Sequence, residues 1–333
     1  VSRVLRWNAV DEIPDDLGGC AVTLGNFDGV HRGHQAVLAE LVMRARADGV
    51  PAVAVTFEPH PLAVLRPDAA PPMVGTLTQR LELLEAADLD AVLVMEFTHE
   101  LAAWTPEQFV RRVFCRGLHA RVVVVGQDTR FGARNAGDVT TLRELGADCG
   151  FDVVVVNDRG DRADATEATR WSSSQVRRLV AEGDVALAAH VLGRHHEVAG
   201  VVVHGDHRGR SLGYPTANLC QDPEGLIPAD GVYAGWLVRC AAPADDPDRR
   251  MPAAISIGTN PTFDGHQRRV EAYVLDRLDL ALYGERVSME FVERLRPTYK
   301  FSGVEELLEV MAGDVRQSRR ILGVADPGPA PGR

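Results

Sequence analysis

The sequence predicts an α/β domain on a doubly wound parallel sheet, followed by a small closed antiparallel β-barrel and a C-terminal helix. Three observations predict it. Between Cys20 and Val156, short apolar β-branched runs alternate with stretches of helical spacing, the pattern of a parallel sheet covered by helices on both faces. From His195 onward the texture changes to glycine-punctuated strands with period-two alternation, as in Val270, Ala272 and Val274 against Glu271, Tyr273 and Leu275. The chain has 333 residues, 45% of them hydrophobic, enough for two cores at about 150 residues per domain. The boundary is expected at residues 186/187, close to the start of a short apolar helix, Val185 to Leu192. A disordered tail is expected over residues 323–333, Asp326 to Arg333 above all.

Within the first half, Cys20 to Leu24 reads as a buried strand. Gln35 to Ala47 reads as a helix with Val37, Leu38, Leu41, Val42 and Ala45 on one face. Pro51 to Phe57 is a strand and Thr76 to Ala87 a helix, opened by a Thr76/Gln79 capping box. Ala91 to Met95 is the next strand, and Thr105-Pro106-Glu107-Gln108 the start of a capped helix. Arg121 to Val125 and Phe151 to Val156 suit fully buried parallel strands. The barrel strands are expected at Glu197–His204, Gly231–Cys240, Met251–Ile257, Val270–Leu275 and Val287–Arg294, with a solvated loop at Ala241–Arg250. Val304 to Met311 is the closing helix.

Charge narrows the function classes. Asp and Glu number 47 against 36 Lys and Arg, for a net charge of -11. That argues against a general nucleic-acid or anionic-membrane binder. Lys300 is the only lysine, so a P-loop lysine is excluded in the first half; phosphate there must be held by backbone, His, Ser and Arg. The five cysteines, Cys20, Cys115, Cys149, Cys220 and Cys240, are odd in number and widely spaced, and indicate neither a zinc site nor a disulfide framework. With no signal peptide or membrane-length apolar run, the expected setting is cytoplasmic.

The chemistry of the first half centres on Gly25-Asn26-Phe27-Asp28-Gly29-Val30-His31-Arg32-Gly33-His34, a turn between a strand and a helix. Gly25, Gly29 and Gly33 allow a tight bend and close approach of a ligand. The helix N-terminus suits an anion, and His31 and His34, three apart, can both face it and steady charge on an α-phosphate. Three further stretches fall at strand ends, where such sheets bind ligands. They are Thr56-Phe57-Glu58-Pro59-His60-Pro61, Gly126-Gln127-Asp128-Thr129-Arg130-Phe131-Gly132, and Arg170-Trp171-Ser172-Ser173-Ser174-Gln175-Val176-Arg177. The last surrounds a helix start with Arg170, Ser173, Ser174 and Arg177, a cradle for a triphosphate.

In the second half, residues 205–219 run Gly205-Asp206-His207-Arg208-Gly209-Arg210-Ser211-Leu212-Gly213-Tyr214-Pro215-Thr216-Ala217-Asn218-Leu219. The glycine spacing makes a loop whose amides could cover phosphates. Thr216 and Asn218 point to one face and offer Mg²⁺ two oxygen ligands.

The His31-Arg32-Gly33-His34 turn resembles the His-x-Gly-His signature of the nucleotidylyltransferase superfamily, and the longer Gly25–His34 run resembles the form found in bacterial FAD synthetases. Residues 56–61 resemble the flavin-side loop of those enzymes, and Ser172 to Arg177 their Ser-Ser-Thr-x-x-Arg element, with Ser174 in the threonine's place. Pro215-Thr216-Ala217-Asn218, Gly231 to Gly235, Gly258 to Phe263, Val270-Glu271, Leu282-Tyr283-Gly284 and Arg296-Pro297 resemble the riboflavin kinase fold. The resemblance spans about Val22 to Met311. It implies a Rossmann-like FMN adenylyltransferase domain (1–186) and a riboflavin kinase domain (187–322), working on riboflavin, FMN and ATP with Mg²⁺. The implied catalytic residues are His31, His34 and Arg177 for adenylyl transfer, and Glu271 as the base for the kinase. Implied nucleotide contacts are Gly25, Asn26, Phe27, Gly33, Arg170, Ser173, Ser174, Gly205, Arg210, Gly213, Thr216 and Asn218, the last two also holding the metal. Implied flavin contacts are Phe57, Pro59, His60, Asp128, Phe131, Gly231, Tyr233 and Arg296. Two alternatives stand beside this: a nucleotidylyltransferase with another acceptor and a non-catalytic flavin-binding barrel, and an RNA-handling protein, which the acidic balance and single lysine disfavour.

Overall fold

The computed structural model describes residues 4–157, 171–205, 212–259, 268–299 and 301–325. They form two compact units, residues 1–173 and 174–333. That division lies N-terminal to the 186/187 position expected from sequence.

The first unit holds a six-stranded, all-parallel sheet in the order β1-β4-β3-β2-β5-β6. In chain order its elements are β1 (Leu5–Trp7), β2 (Cys20–Leu24), α1 (Arg32–Asp48), β3 (Ala52–Glu58), α2 (Pro61–Leu65), α3 (Leu77–Glu85), β4 (Ala91–Glu96), α4 (His99–Ala102) and α5 (Pro106–Phe109). A π-helix (Val110–Gly117) continues α5, and β5 (Ala120–Gly126), α6 (Val139–Cys149) and β6 (Asp152–Val156) complete it. The Thr76/Gln79 capping box forms at α3, and Thr105 and Gln108 make a second one at α5.

Alternate residues of the central strands face two separate cores. Val22, Val53, Val55, Val123 and Val125 pack with Phe109, Phe114 and Leu142 on one face. Ala21, Ala54, Val92, Val94 and Val124 pack with Leu38, Leu41 and Leu84 on the other. Both faces are thus covered by helices, the doubly wound arrangement expected. The strand order runs from β2 outward through β3 and β4, then returns to β2's other side with β5, so the topological switch lies between β2 and β5.

Three expectations are corrected. β6 is half-buried rather than fully buried, because it is the edge strand and pairs on one side with β5. β1 was not foreseen; it is three residues long with one buried side chain, too short for a periodic signal. Cys115 and Cys149 form a disulfide with Cα atoms 6.1 Å apart, because the π-helix and the end of α6 pack side by side.

The second unit contains α7 (Ser173–Glu182, from its second residue), α8 (Val185–Leu192), β7 (His196–Val203), β8 (Ala217–Leu219), β9 (Gly231–Arg239), β10 (Arg250–Thr259), β11 (Arg268–Val274), β12 (Arg286–Arg296) and α9 (Val304–Leu322). The six strands close into an antiparallel barrel in the order β10-β11-β8-β7-β12-β9. Its interior is filled by Val198, Leu237, Ile255, Val270, Ala272, Met289 and Phe291, and Val185 of α8 joins that core. α9 is longer than the sequence expectation. Gly313 and Asp314 weaken its apolar period, but Asp314 is buried and paired with Arg296, and the helix ends at Gly323 in the left-handed region. The expected disordered segment 326–333 lies outside the described residues, as do Arg170 and Arg210.

Candidate active sites

In the first unit, β2 ends where the Gly25 N–H donates to the Val55 C=O, 3.1 Å. The chain then turns sharply. Phe27, Gly29 and Val30 all take positive φ (49°, 75° and 37°), and the Val30 N–H closes on the Phe27 C=O at 3.1 Å. A left-handed β-branched residue is costly, and such strain persists only where the surroundings over-determine it. They do so here. The buried Asp28 carboxylate accepts the N–H groups of Val74 (3.0 Å) and Gly75 (3.4 Å), and Ser173 Oγ donates to the Asp28 C=O at 2.8 Å. Gln35 Nε2 donates to the Val30 C=O at 2.8 Å.

His31 is the N-cap of α1, its Nδ1 accepting the His34 N–H at 3.4 Å, which leaves the ring proton on Nε2 of the neutral tautomer. The two imidazoles stack with centroids 3.7 Å apart. Burial, with His31 adding to it, holds His34 well below the usual histidine range, so it is neutral at pH 7. Its shielded Nδ1 has no hydrogen-bond partner among the described residues. An imidazole pair beside a helix N-terminus can donate to, and polarise, a phosphate group.

Phe27 is a core side chain. Its ring is 1% exposed, and a Cβ on Gly25 would stand 3.1 Å from it. Gly25 thus gives the ring room that a Cβ would crowd, while Phe27 supports the turn from beneath. Phe131 is a core side chain too. It is buried against Phe109 at 6.2 Å, and its backbone pairs with Gly137, so the loop folds over the ring. Phe57 is half-buried, edge-on to Phe97 at 5.5 Å and 6.3 Å from Phe109. Pro59 is exposed, and His60 caps α2 by accepting the Leu62 N–H at 3.2 Å. Asp128 is exposed at the end of β5. Gly33 lies buried in the first turn of α1. Ser174 and Arg177 stand three apart on α7, on the second unit's side of the division.

The sequence reading missed Arg80. It sits on α3, four residues before the fully buried Leu84 and on the same face. An arginine in the apolar phase of an amphipathic helix was the available signal.

In the barrel, β8 and β11 pair with Asn218 opposite Glu271. Val270, Ala272 and Val274 point into the core, which leaves Glu271 on the outer face beside β8. Thr216 Oγ1 donates to Glu271 Oε2 at 3.3 Å, and Asn218 Nδ2 stands 3.2 Å from Thr216 Oγ1. Thr216, Asn218 and Glu271 thus converge, as two-residue spacing and strand pairing require. A Cβ on Gly205 would fall 2.7 Å from the Asn218 side-chain amide, which would then have to shift. Gly213 needs its glycine for a different reason, a φ of +84°.

Two of the expected flavin-side residues of the barrel have partners within the second unit. Tyr233 is wholly buried in the barrel core, its hydroxyl donating to the Ala229 C=O. Arg296 makes a bidentate pair with Asp314 (2.9 and 2.8 Å) and lies over the Tyr299 ring, so it fastens α9 to the barrel. Gly231 is a close-approach position, where a Cβ would meet the Arg296 carbonyl at 2.7 Å.

Thr216 and Asn218 offer hard oxygens of the kind Mg²⁺ accepts when substrate phosphates complete its shell, beside the Glu271 carboxylate. Among the described residues, no group of three or more His, Cys, Asp or Glu forms an all-protein metal site.

Comparison with known proteins falls on the same two regions. Residues 13–170 match the family model described as FAD synthetase, and residues 192–322 the one described as riboflavin kinase. The bifunctional riboflavin kinase/FMN adenylyltransferase of Escherichia coli strain K12 is 34% identical over 309 residues, 93% of this chain and 95% of that protein. The Pseudomonas fluorescens protein of the same name is 35% identical over 304 residues, 91% and 93% of the two chains. A crystal structure described as a macrolide-efflux protein from Streptococcus pneumoniae is similar with a TM-score of 0.82 at 28% identity, covering 95% of this chain and 99% of that one. Efflux is said of that protein; here, among the described residues, no helix is long and apolar enough to cross a membrane.

Proposed function

The chain belongs to the bifunctional riboflavin kinase/FMN adenylyltransferase family, and from that premise we propose that it phosphorylates riboflavin to FMN in its barrel and then transfers AMP from ATP to FMN in its α/β unit. What carries the reading is that each half matched by a family model holds its own convergent cluster, Thr216/Asn218/Glu271 in one and the strained His31/His34 turn in the other.

In the kinase step, the Glu271 carboxylate takes the proton of the riboflavin 5′-hydroxyl as that oxygen bonds to the γ-phosphorus. The bond to the β-phosphate oxygen breaks and ADP leaves. The Thr216 hydroxyl fixes the orientation of Glu271. Gly205, Arg210 and Gly213 cover the nucleotide phosphates; Gly231 shapes the flavin side. Mg²⁺, held by Thr216 and Asn218, would neutralise charge on those phosphates when bound.

In the second step, a phosphate oxygen of FMN bonds to the α-phosphorus of ATP and pyrophosphate leaves. The phosphate is already largely ionised near pH 7, so no base is required. The amides of the Gly25–His34 turn and the start of α1, with His31 and His34 as donors, hold the charge that grows on the α-phosphate. Ser173, Ser174, Arg170 and Arg177 hold the leaving pyrophosphate. Phe57, Pro59 and His60 bound the flavin side, with Asp128 at the next strand end. The use of ATP favours a cytoplasmic setting, and the acidic balance favours small-molecule substrates over nucleic acid.

The test is one incubation of the full chain with riboflavin, ATP and Mg²⁺, flavins separated by chromatography over time. FMN followed by FAD is the expected course. FAD from supplied FMN without any FMN from riboflavin would favour the non-catalytic barrel instead.

A further inference from the structure

Past the Gly25–Val55 bond, the ends of β2 and β3 are joined through side chains. Arg80 Nη1 donates to the Asn26 C=O (2.9 Å), to Thr56 Oγ1 (3.2 Å) and to the Phe57 C=O (3.1 Å). Its Nη2 pairs with the Glu58 carboxylate. Thr56 Oγ1 itself donates to the Asn26 C=O at 3.3 Å. Asn26 enters the nucleotide turn, and Phe57-Glu58 opens the loop on the flavin side. One guanidinium therefore touches both strand ends, between which the two reacting groups of adenylyl transfer would meet.

Burial makes this a committed arrangement. Arg80 is 3% exposed, and its Nε has no hydrogen-bond partner among the described residues. A plain structural ion pair could sit at the surface without leaving a donor unsatisfied. The lead-in to the same helix supplies the Val74 and Gly75 amides that grip Asp28. α3 thus holds the strained turn at its entry and again past Phe27, whose φ is +49°.

We propose that Arg80 is a positioning residue for adenylyl transfer. It sets the separation between the flavin phosphate and the α-phosphorus by locking the end of β3 to the entry of the nucleotide turn, and it touches neither substrate. This rests on the reading that the α/β unit joins AMP to FMN. The planar fork is what the role needs. A lysine would keep the charge but present a single nitrogen, which cannot face the Asn26 and Phe57 carbonyls and the Glu58 carboxylate with fixed geometry.

The test uses the full chain with Arg80→Gln, Arg80→Lys and Glu58→Gln. Displacement of reacting atoms by about 1 Å costs on the order of 100-fold in rate. Arg80→Gln is therefore expected to lower kcat for FAD formation about 10- to 100-fold, with KM for FMN and ATP changed less than about threefold. Arg80→Lys falls between it and the parent. Riboflavin phosphorylation by the same preparation stays at the parental rate and reports the folded fraction. If Arg80→Gln does not fold, Glu58→Gln is read in its place, with several-fold loss of kcat expected. Parental kcat in the folded variants, or a loss confined to KM, overturns the proposal. A parent chain that makes no FAD overturns the underlying reading instead, so the two failures are distinguishable.

Discussion

Replacing Glu271 by glutamine removes proton affinity while keeping shape. The glutamine carbonyl oxygen can still accept the hydrogen bond that Thr216 Oγ1 now gives Glu271 Oε2 at 3.3 Å. Side-chain volume on the outer face of β11 barely changes, and the core neighbours Val270 and Ala272 are untouched. The barrel should fold as before. A positioned general base contributes about 10²- to 10⁴-fold, which is about 3 to 5.5 kcal/mol at 1.36 kcal/mol per tenfold. Riboflavin phosphorylation by Glu271→Gln is therefore expected to fall by that range in kcat, with KM for riboflavin nearly unchanged. Because the residue lies on a strand of the barrel, apart from the residues assigned to adenylyl transfer, FAD formation from supplied FMN should proceed at the parental rate in the same preparation. The assay is flavin chromatography on riboflavin plus ATP and, separately, FMN plus ATP. Near-parental phosphorylation would refute Glu271 as the base, and equal loss of both activities would refute the separation of sites.

Other outcomes follow from the same geometry. His31→Ala and His34→Ala should each lower FAD formation about 10²- to 10³-fold, the usual cost of one charge-stabilising donor, and leave phosphorylation intact; equal loss in both reactions contradicts this. His196 is 2% exposed, its Nε2–H donating to the Leu226 C=O at 2.6 Å, and burial lowers its pKa to about 4 from 6.5. The unfolded chain therefore takes the proton first, so stability is whole above about pH 6.5 and is lost as pH falls through about 4. Between pH 7 and pH 5 the loss is about 2 kcal/mol. The urea midpoint of the barrel transition should record it, and His196→Gln should flatten that slope; an unchanged slope contradicts the assignment. Thiol titration of the unfolded, unreduced chain should find three free thiols, Cys20, Cys220 and Cys240, and five after reduction. Five before reduction contradicts the Cys115–Cys149 bridge.

The fold was legible because periodicity reports burial. The valine-rich β5 reads as a strand from composition alone, and the alternation of β11 announces both its core face and the exposure of Glu271. Local chemistry was legible too. The Thr76 and Thr105 capping boxes, the stacked His31/His34 pair and the Thr216/Asn218 face all follow from spacings of two or three residues. What sequence hid depends on tertiary neighbours. An aromatic in a polar loop reads as a ligand platform, yet Phe27 and Phe131 turn beneath their loops into the two cores of the sheet. Tyr233 and Arg296 have the right chemistry for a flavin, but one fills the barrel and the other is committed to Asp314, eighteen residues on. The helical phase of Arg80 marks it as buried, but not its partners, which come from β2 and β3, more than twenty residues away. Cys115 and Cys149 meet through helix packing that spacing does not encode.

Two independent sites working in series is the central claim, and mixing two crippled chains tests it most directly. Glu271→Gln alone, given riboflavin, ATP and Mg²⁺, should turn over little riboflavin and so yield little FMN or FAD, while the His31→Ala/His34→Ala chain should stop at FMN. Combined in one tube, they should carry riboflavin through to FAD, because each supplies the step the other lacks. A single variant that loses both reactions, or a His31→Ala/His34→Ala chain that still makes FAD at the parental rate, would contradict the account.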